Sequence, residues 1–452
     1  MNNRIHKTVI FPVVEAVSGT NIAGTVAQLE KSQWWTKAHL LELQNKKLRA
    51  IVQHAYHNVP FYRRLFKQHN ILPEDIQEKK DLLQLPVLTK EDIKKNISDM
   101  VAKNIPISRI MSTYSSGSTG EPLKYYLDKA SYSAGWAQTF RCWSWAADFR
   151  IGDPYVKIGL EERSSIRKNL QDRVMNTQYI GFSGIHRTNI RDVLKKIGSF
   201  NPKIIRSNTD FIYPIAKMME QEDFQYSGAT VTTTASILFP HYRNLVEKQF
   251  NCRILDAYGG EGTPVSFQCE KCEHYHIAEE DVIVEFMKEN EYVSEEEPGK
   301  IIITNLNNYA MPLIHYDLND LGQFLEDTCS CGRNLSLMKS IEGRDNDIVK
   351  TASGDLIPVH FFSYLFRDMP GVDQFQVIQE RIDRITFKIV INKQYSESDT
   401  EYITNKVRNK TGGQIVVDFQ FVGDIPTSGR SGKRRYVISH VPFPIKPDNG
   451  FS

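Results

Sequence analysis

Apolar residues recur at helical spacing between positions 36 and 57, at Leu40, Leu41, Leu43, Leu48, Ile51, Val52 and Ala55. Positions three and four apart share one face of a helix, so the segment predicts an amphipathic helix that ends before Pro60. The following Asn58-Val59-Pro60-Phe61-Tyr62 turns the chain, and a more polar helical stretch then leads to Thr89, a residue suited to cap another helix. Between 200 and 290 short apolar strands at Ile204-Ile205, Ala229 to Thr233 and Arg253-Ile254-Leu255 alternate with helical stretches from Thr209 to Gln221 and from Tyr242 to Gln249. Such alternation is the signature of α/β layers. Residues 281 to 287 and 300 to 304 read as paired strands, joined through the acidic, glycine-containing stretch 289 to 299.

After Gly343-Arg344 the texture changes to strand near 374 to 379, strand 384 to 391, helix 396 to 409 and strand 414 to 422. That is a compact α+β unit of about a hundred residues. The expected fold class is therefore α/β: a large amino-terminal domain of layered sheets and helices over 1–344, and a small α+β domain over 345–452. No internal repeat or low-complexity tract argues for a solenoid or a disordered scaffold.

A length of 452 residues exceeds what one compact core usually holds, in keeping with two domains. With 40% apolar residues and a formal charge of +2, the chain lacks the basic excess of a nucleic-acid partner, and small-molecule chemistry becomes the default. Pro12 and Glu15 interrupt the apolar stretch Val9 to Val17, and no small-residue cleavage site follows. Neither signal peptide nor membrane anchor is expected, no run reaches the ~20 apolar residues of a spanning helix, and the cytoplasm is the expected compartment.

The densest chemical signal is Ser115-Ser116-Gly117-Ser118-Thr119-Gly120-Glu121-Pro122-Leu123-Lys124, with four hydroxyls, two glycines and one lysine in ten residues. Glycine lets backbone N–H groups turn toward an anion, Ser and Thr add donors, and Lys124 adds charge, so the loop suits phosphate oxygens better than it suits an ordinary polar turn. It is not a Walker A loop, because no Gly-Lys-Ser/Thr occurs. It resembles the phosphate loop of the acyl-adenylate-forming superfamily, which includes acyl-CoA synthetases and adenylation domains.

Further landmarks of that superfamily follow in order. Asp256-Ala257-Tyr258-Gly259-Gly260-Glu261-Gly262-Thr263 resembles its Tyr-Gly-x-Ser/Thr-Glu element, which implies Tyr258 and Gly259 beside adenine and Glu261 toward magnesium. Glu261 comes one residue early: either the loop is shorter or the metal ligand is displaced, with Thr263 near enough to share the role. Met311 to Asp320 is similar to the Tyr-x-x-Gly-Asp element, which assigns Asp320 to the ribose hydroxyls, although Asn319 stands where glycine is usual. Gly343-Arg344-Asp345-Asn346-Asp347 looks like the hinge, with Arg344 also reaching the ribose, and it falls at the compositional boundary. Ile425-Pro426-Thr427-Ser428-Gly429-Arg430-Ser431-Gly432-Lys433 resembles the terminal lysine loop with one residue inserted, making Lys433 the catalytic lysine.

Within the superfamily the chain looks like the phenylacetate-CoA ligase branch, and in it the CapK-like proteins associated with capsular and other surface-polysaccharide biosynthesis. Ser32-Gln33-Trp34-Trp35 with the Asn-Val-Pro-Phe-Tyr turn resembles the amino-terminal region of that subgroup, Asn308 to Ile314 its central strand, and Cys329-Ser330-Cys331-Gly332-Arg333 its cysteine knuckle. The resemblance implies a mobile lid domain and a two-step reaction. A carboxylate attacks the α-phosphate of ATP, aided by Mg2+ and Lys433, and an acceptor then attacks the acyl-adenylate. A CoA thiol, a carrier-protein thiol and an amine of a sugar all fit as acceptor. The acid pocket is expected near Thr232 to Leu238 and Tyr155 to Gly184. A monomer and a homodimer both fit the sequence.

Of six cysteines, Cys142 and Cys252 stand alone, while Cys269, Cys272, Cys329 and Cys331 form two close pairs. Two thiolate pairs can complete a tetrahedron around one structural Zn2+. His276 and His274 rival Cys272 for one position. Two other readings fit the departures at Glu261 and Asn319: a degenerate relative that binds nucleotide or a partner without turnover, and a zinc-stapled interaction module.

Overall fold

The computed structural model describes residues 5–115, 123–160, 162, 165–295, 297–344, 348–352, 356–357, 359–367, 369–426 and 435–441. Near its centre a hairpin of β1 (Ile110–Tyr114) and β2 (Lys124–Asp128) precedes a mixed sheet of twelve strands. In chain order these are β3 (Tyr155–Gly159), β4 (Thr177–Gly181), β5 (Ile204–Asn208), β6 (Thr230–Thr234), β7 (Leu255–Gly260), β8 (Thr263–Gln268) and β9 (Tyr275–Ile277). There follow β10 (Val282–Lys288), β11 (Glu291–Tyr292), β12 (Gly299–Asn305), β13 (Tyr316–Leu325) and β14 (Leu337–Arg344). The spatial order is β11-β10-β12-β13-β14-β9-β8-β7-β6-β5-β3-β4. Strands β3 to β7 pair in parallel and all later neighbours pair antiparallel. The two halves join where β9 meets β14, through two residue pairs, His276 with Leu337 and Tyr275 with Met338.

Alternation along the parallel strands decides which face does what, because successive side chains point to opposite faces. Val156, Ile158, Ile205 and Val231 belong to one buried cluster with residues of the helices Ile190–Phe200, Thr209–Gln221 and Pro240–Phe250. The residues between them, Lys157, Arg206 and Thr232, line a cavity together with residues of the helix Lys129–Ala147. That helix starts at Asp128, whose carboxylate accepts from the Ser131 N–H at 2.8 Å and also holds the Tyr309 and Ala310 N–H groups. Its far half is fixed by a buried ion pair, Arg141 to Glu280 at 2.6 Å, flanked by Gln138 and Ser32.

The carboxy-terminal unit is a four-stranded sheet in the order β19-β18-β17-β20, made of β17 (Val372–Arg381), β18 (Arg384–Ile391), β19 (Val416–Phe421) and β20 (Val437–Ser439). It is preceded by a two-stranded pair, β15 (Val349–Lys350) and β16 (Leu356–Ile357). Ile385, Phe387 and Ile389 alternate on the buried face of β18 and pack with Ile403 and Val407 of the helix Glu397–Thr411. The unit meets the large sheet's helices at an aromatic cluster, where Tyr436 lies 6.0 Å from Phe239 and its hydroxyl is 3.1 Å from that of Tyr242.

The expected fold class, α/β with a smaller carboxy-terminal domain, is borne out. The amphipathic helix spans Lys37–Asn58, with Thr36 accepting from the His39 N–H at 3.3 Å, and Thr89 caps Lys90–Asn96. Residues 281 to 304 do form a hairpin, and within its connection β11 pairs back onto β10. One expectation is corrected: Asn308 to Ile314 is not a strand but a buried loop between β12 and β13. Pro312 lacks an N–H, and side chains take over the bonding: Asn308 donates to the Tyr126 and Met311 carbonyls, and Tyr62 donates to that of Pro312. The amino-terminal helices Phe11–Ser18 and Ile22–Ser32 were not anticipated. No single described helix is long and apolar enough to cross a membrane, though the bent pair His6–Ser18 and Ile22–Ser32 together have that length and composition.

Replacing Glu280 by Ala strands the buried Arg141 guanidinium. A loss of about 3–5 kcal/mol in urea unfolding, followed by tryptophan fluorescence, is expected. A loss below about 1 kcal/mol would mean that water reaches the pair.

Candidate active site

A cavity of about 1030 Å³ opens at the carboxyl ends of the parallel strands and is walled by both halves of the sheet and by the carboxy-terminal unit. In open α/β sheets this is where ligands bind. Of the sequence-predicted residues, Ser115, Tyr258, Gly259, Glu261, Thr263 and Asp320 all line it. Their sequence separation reaches 205 residues between Ser115 and Asp320 (320 − 115), so tertiary structure alone unites them.

Tyr258, near the end of β7, donates its hydroxyl proton to Asp320 Oδ2 on β13 at 2.8 Å. This bond spans the two halves of the sheet. Asp320 is also the cross-strand partner of Arg344 on β14, so the two residues assigned to the ribose are backbone neighbours; the Arg344 side chain lies outside the described residues. Asn319 has φ 58°, in the left-handed region that Asn tolerates better than other non-glycine residues, which explains how it replaces a glycine.

Glu261 and Gly262, at φ 46° and 75°, are the two central residues of a hairpin whose ends, Gly260 and Thr263, are paired. Positive φ at both positions is the geometry of a tight type I′ connection. Glu261 stands at the hairpin tip on the cavity wall, and its charge adds to burial in raising the pKa of Tyr125 and Tyr316. Gly259 is required by space, because a Cβ there would meet the Thr263 carbonyl oxygen at 2.4 Å. Thr263 is buried and its hydroxyl oxygen accepts from Asn305 at 2.6 Å.

The phosphate-loop candidate is described only at its base. Ser115 exchanges two bonds with Leu123, its N–H donating at 2.8 Å and its Oγ accepting at 2.9 Å, so the loop closes at the cavity rim. Ser116, Gly117, Ser118, Thr119 and Gly120 lie outside the described residues. Lys124 is not brought to the cavity wall among those residues; its ammonium lies 5.2 Å from the Tyr126 ring, which raises its pKa. Lys433 and residues 345–347 also lie outside the described residues, but Arg435 and Tyr436 line the cavity. Arg206, Lys157 and Trp136 were missed by motif reading. A cation ending the apolar pair Ile204-Ile205 was the available signal.

Away from the cavity wall, the cysteine pairs converge beside the β9–β14 junction. Ligand atoms of Cys269, His276, Cys329 and Cys331 all lie within 4.8 Å of one another. Cys269 Sγ is 3.6 Å from Cys329 Sγ, and Cys331 Sγ is 3.5 Å from His276 Nε2. A tetrahedral zinc with two such ligands would set them about 3.5–3.8 Å apart, so this donor set fits the ion. Cys272 lies 3.1 Å from Cys329, closer than two thiolates on one zinc, and His274 turns to the Lys339 carbonyl.

The comparisons agree with this architecture. Residues 349–440 match the family model of the CapK C-terminal domain. The chain is 23% identical to Protein CapK of Staphylococcus aureus over 89% of this chain and 90% of that protein. It is 25% identical to the phenylacetate-coenzyme A ligase of Escherichia coli (strain K12), over 71% and 74% of the two chains. Among solved structures it is similar to a 2-hydroxyisobutyryl-CoA ligase in the postadenylation state, with a TM-score of 0.71, 16% identity and 90% of each chain covered. The resemblance read from the motifs is borne out, and the fold is that of an acyl-CoA ligase.

The cluster geometry favours His276 over Cys272 as the fourth ligand. Elemental analysis of the purified chain should find about one zinc per chain; Cys331→Ser and His276→Gln should lose it and Cys272→Ser should keep it. Zinc lost only from Cys272→Ser would reverse that choice.

Proposed function

We propose that the chain is an adenylate-forming ligase that activates a carboxylic acid with ATP and passes the acyl group to an acceptor. The observation that carries this reading is the single cavity shared by Ser115, Tyr258, Asp320 and Arg435. It offers, in one space, a hydroxyl-rich loop base, an aromatic wall, a carboxylate for a vicinal diol and a segment of the carboxy-terminal unit. Likeness to phenylacetate-coenzyme A ligase and to a ligase described with an acyl-adenylate supports the same conclusion.

In the first half-reaction a carboxylate oxygen of the acid attacks the α-phosphorus, the bond to the bridging oxygen breaks, and pyrophosphate leaves. Asp320 and Arg344 hold the ribose, Tyr258 and Gly259 flank adenine, and residues 115–120 bind the β- and γ-phosphates. Lys433 is assigned the role of neutralising the charge that grows between the α-phosphate and the incoming carboxylate in the transition state. Magnesium would supply further neutralisation at the phosphates, with Glu261 the residue assigned to hold it. In the second half-reaction a thiol of CoA type or an amine attacks the acyl carbon and AMP departs. Residues 345–452 act as the lid, turning about 345–347 between the halves. Zinc, held by the Cys/His cluster, is structural. Likeness to Protein CapK supports assigning the product to surface-polysaccharide synthesis.

Lys433→Ala tests the central assignment. ATP–pyrophosphate exchange should fall by about 10²–10³-fold, while the ATP dissociation constant measured by calorimetry changes by less than roughly threefold. Exchange at the wild-type rate would remove Lys433 from the chemistry.

A further inference from the structure

Arg206 lies on the cavity wall, and its place in the sheet is defined by pairing. On β5 it is in register with Lys157 of β3 and Thr232 of β6, and Thr232 is in register with Leu255 of β7. All four line the cavity. Leu255 lies four residues before Gly259, and a strand rises about 3.3 Å per residue, so this row lies roughly 13 Å below the level of Gly259. It therefore forms the floor of the cavity whose rim carries the Tyr258–Asp320 bond. The opposite wall at this depth is the helix Lys129–Ala147, which contributes Trp136.

The Arg206 guanidinium carbon lies over the Trp136 ring, 5.5 Å from its centroid, within cation–π range, and such a contact uses none of the N–H donors. Among the described residues its side chain makes no hydrogen bond and no ion pair. Four carboxylates on the wall have other partners: Asp256 accepts from Thr233 and Tyr275, Asp320 from Tyr258, Asp210 from Ser236, and Glu273 lies 3.8 Å from Arg243. The Thr232 hydroxyl beside it also lacks a partner among the described residues. Burial lowers the Arg206 pKa, opposed only by Tyr155. A half-buried guanidinium with no counter-charge among the described residues gains from a ligand that completes its hydrogen bonds.

We propose that the acid activated by this chain carries a second carboxylate, which Arg206 binds at the cavity floor while the reacting carboxylate points to the rim. The inference rests on the adenylation reading above and specifies its substrate class. The guanidinium fork matches a carboxylate through two parallel N–H···O bonds, and Lys157 in the same row adds positive charge. Between the two ends, Trp136 offers apolar surface for a short carbon chain or ring.

ATP–pyrophosphate exchange with matched pairs of acids tests it: glutarate against pentanoate, and adipate against hexanoate. The wild-type chain should favour the diacids in kcat/KM by at least roughly tenfold, the discrimination expected where a buried donor loses its partner. Arg206→Gln should lower exchange with the diacids by about tenfold to a hundredfold more than with the mono-acids, and Arg206→Lys should restore part of the difference. A wild-type preference for the mono-acids, or a diacid preference that survives in Arg206→Gln, overturns the assignment while leaving adenylation standing. Absence of exchange with any acid overturns the adenylation reading and this inference together.

Discussion

The two-pair junction between β9 and β14 is the constraint on which the rest depends. On one side lie the parallel strands that carry Tyr258, on the other the antiparallel strands that carry Asp320, and among the described residues the strand ladder between the halves consists of two residue pairs. Rotation there would separate the Tyr258 hydroxyl from the Asp320 carboxylate, now 2.8 Å apart. Cys269 and Cys272 precede β9, and Cys329 and Cys331 precede β14, so the sulfur cluster sits beside the junction of the two halves. Arg333, stacked 4.4 Å from Trp145, ties the same corner to the helix that forms the cavity's wall. A structural ion bound at that point would couple folding of the corner to metal binding.

A second constraint is the division of labour between faces of the parallel strands. Val156, Ile205 and Val231 bury one face against helices, which frees the alternate positions for polar groups without weakening the core. The cavity is thus lined with Lys157, Arg206, Thr232 and Thr234 on strands whose opposite face carries Val156, Ile158, Ile205 and Val231. The buried Arg141–Glu280 pair keeps the facing helix at fixed distance, so the cavity is preformed rather than created by a ligand.

Much of this was legible because it is local. The helix at Lys37–Asn58, the helix at Thr209–Gln221 and the alternation Ile385, Phe387, Ile389 each follow from spacing within one segment. Tyr258 and Asp320 were legible through motifs, and the two departures, Glu261 and Asn319, both prove to be left-handed backbone positions that pattern alone does not reveal. What was not legible depends on distant partners. Asn308 to Ile314 looked strand-like, but its backbone is satisfied by Tyr62, Asp128 and Asn308 side chains. β20 is too short to show a period and exists because β17 offers it an edge. The choice between Cys272 and His276 turns on the register of β9 with β14, and Arg206 gains meaning only from its place over Trp136.

The central claim is that one cavity, spanning the junction, receives the nucleotide. A crystal structure of the chain grown with AMP and magnesium tests it most directly. The account predicts the ribose hydroxyls within hydrogen-bond reach of Asp320 and the adenine beside Tyr258; AMP bound to another surface, with the Tyr258–Asp320 bond unchanged, would contradict it.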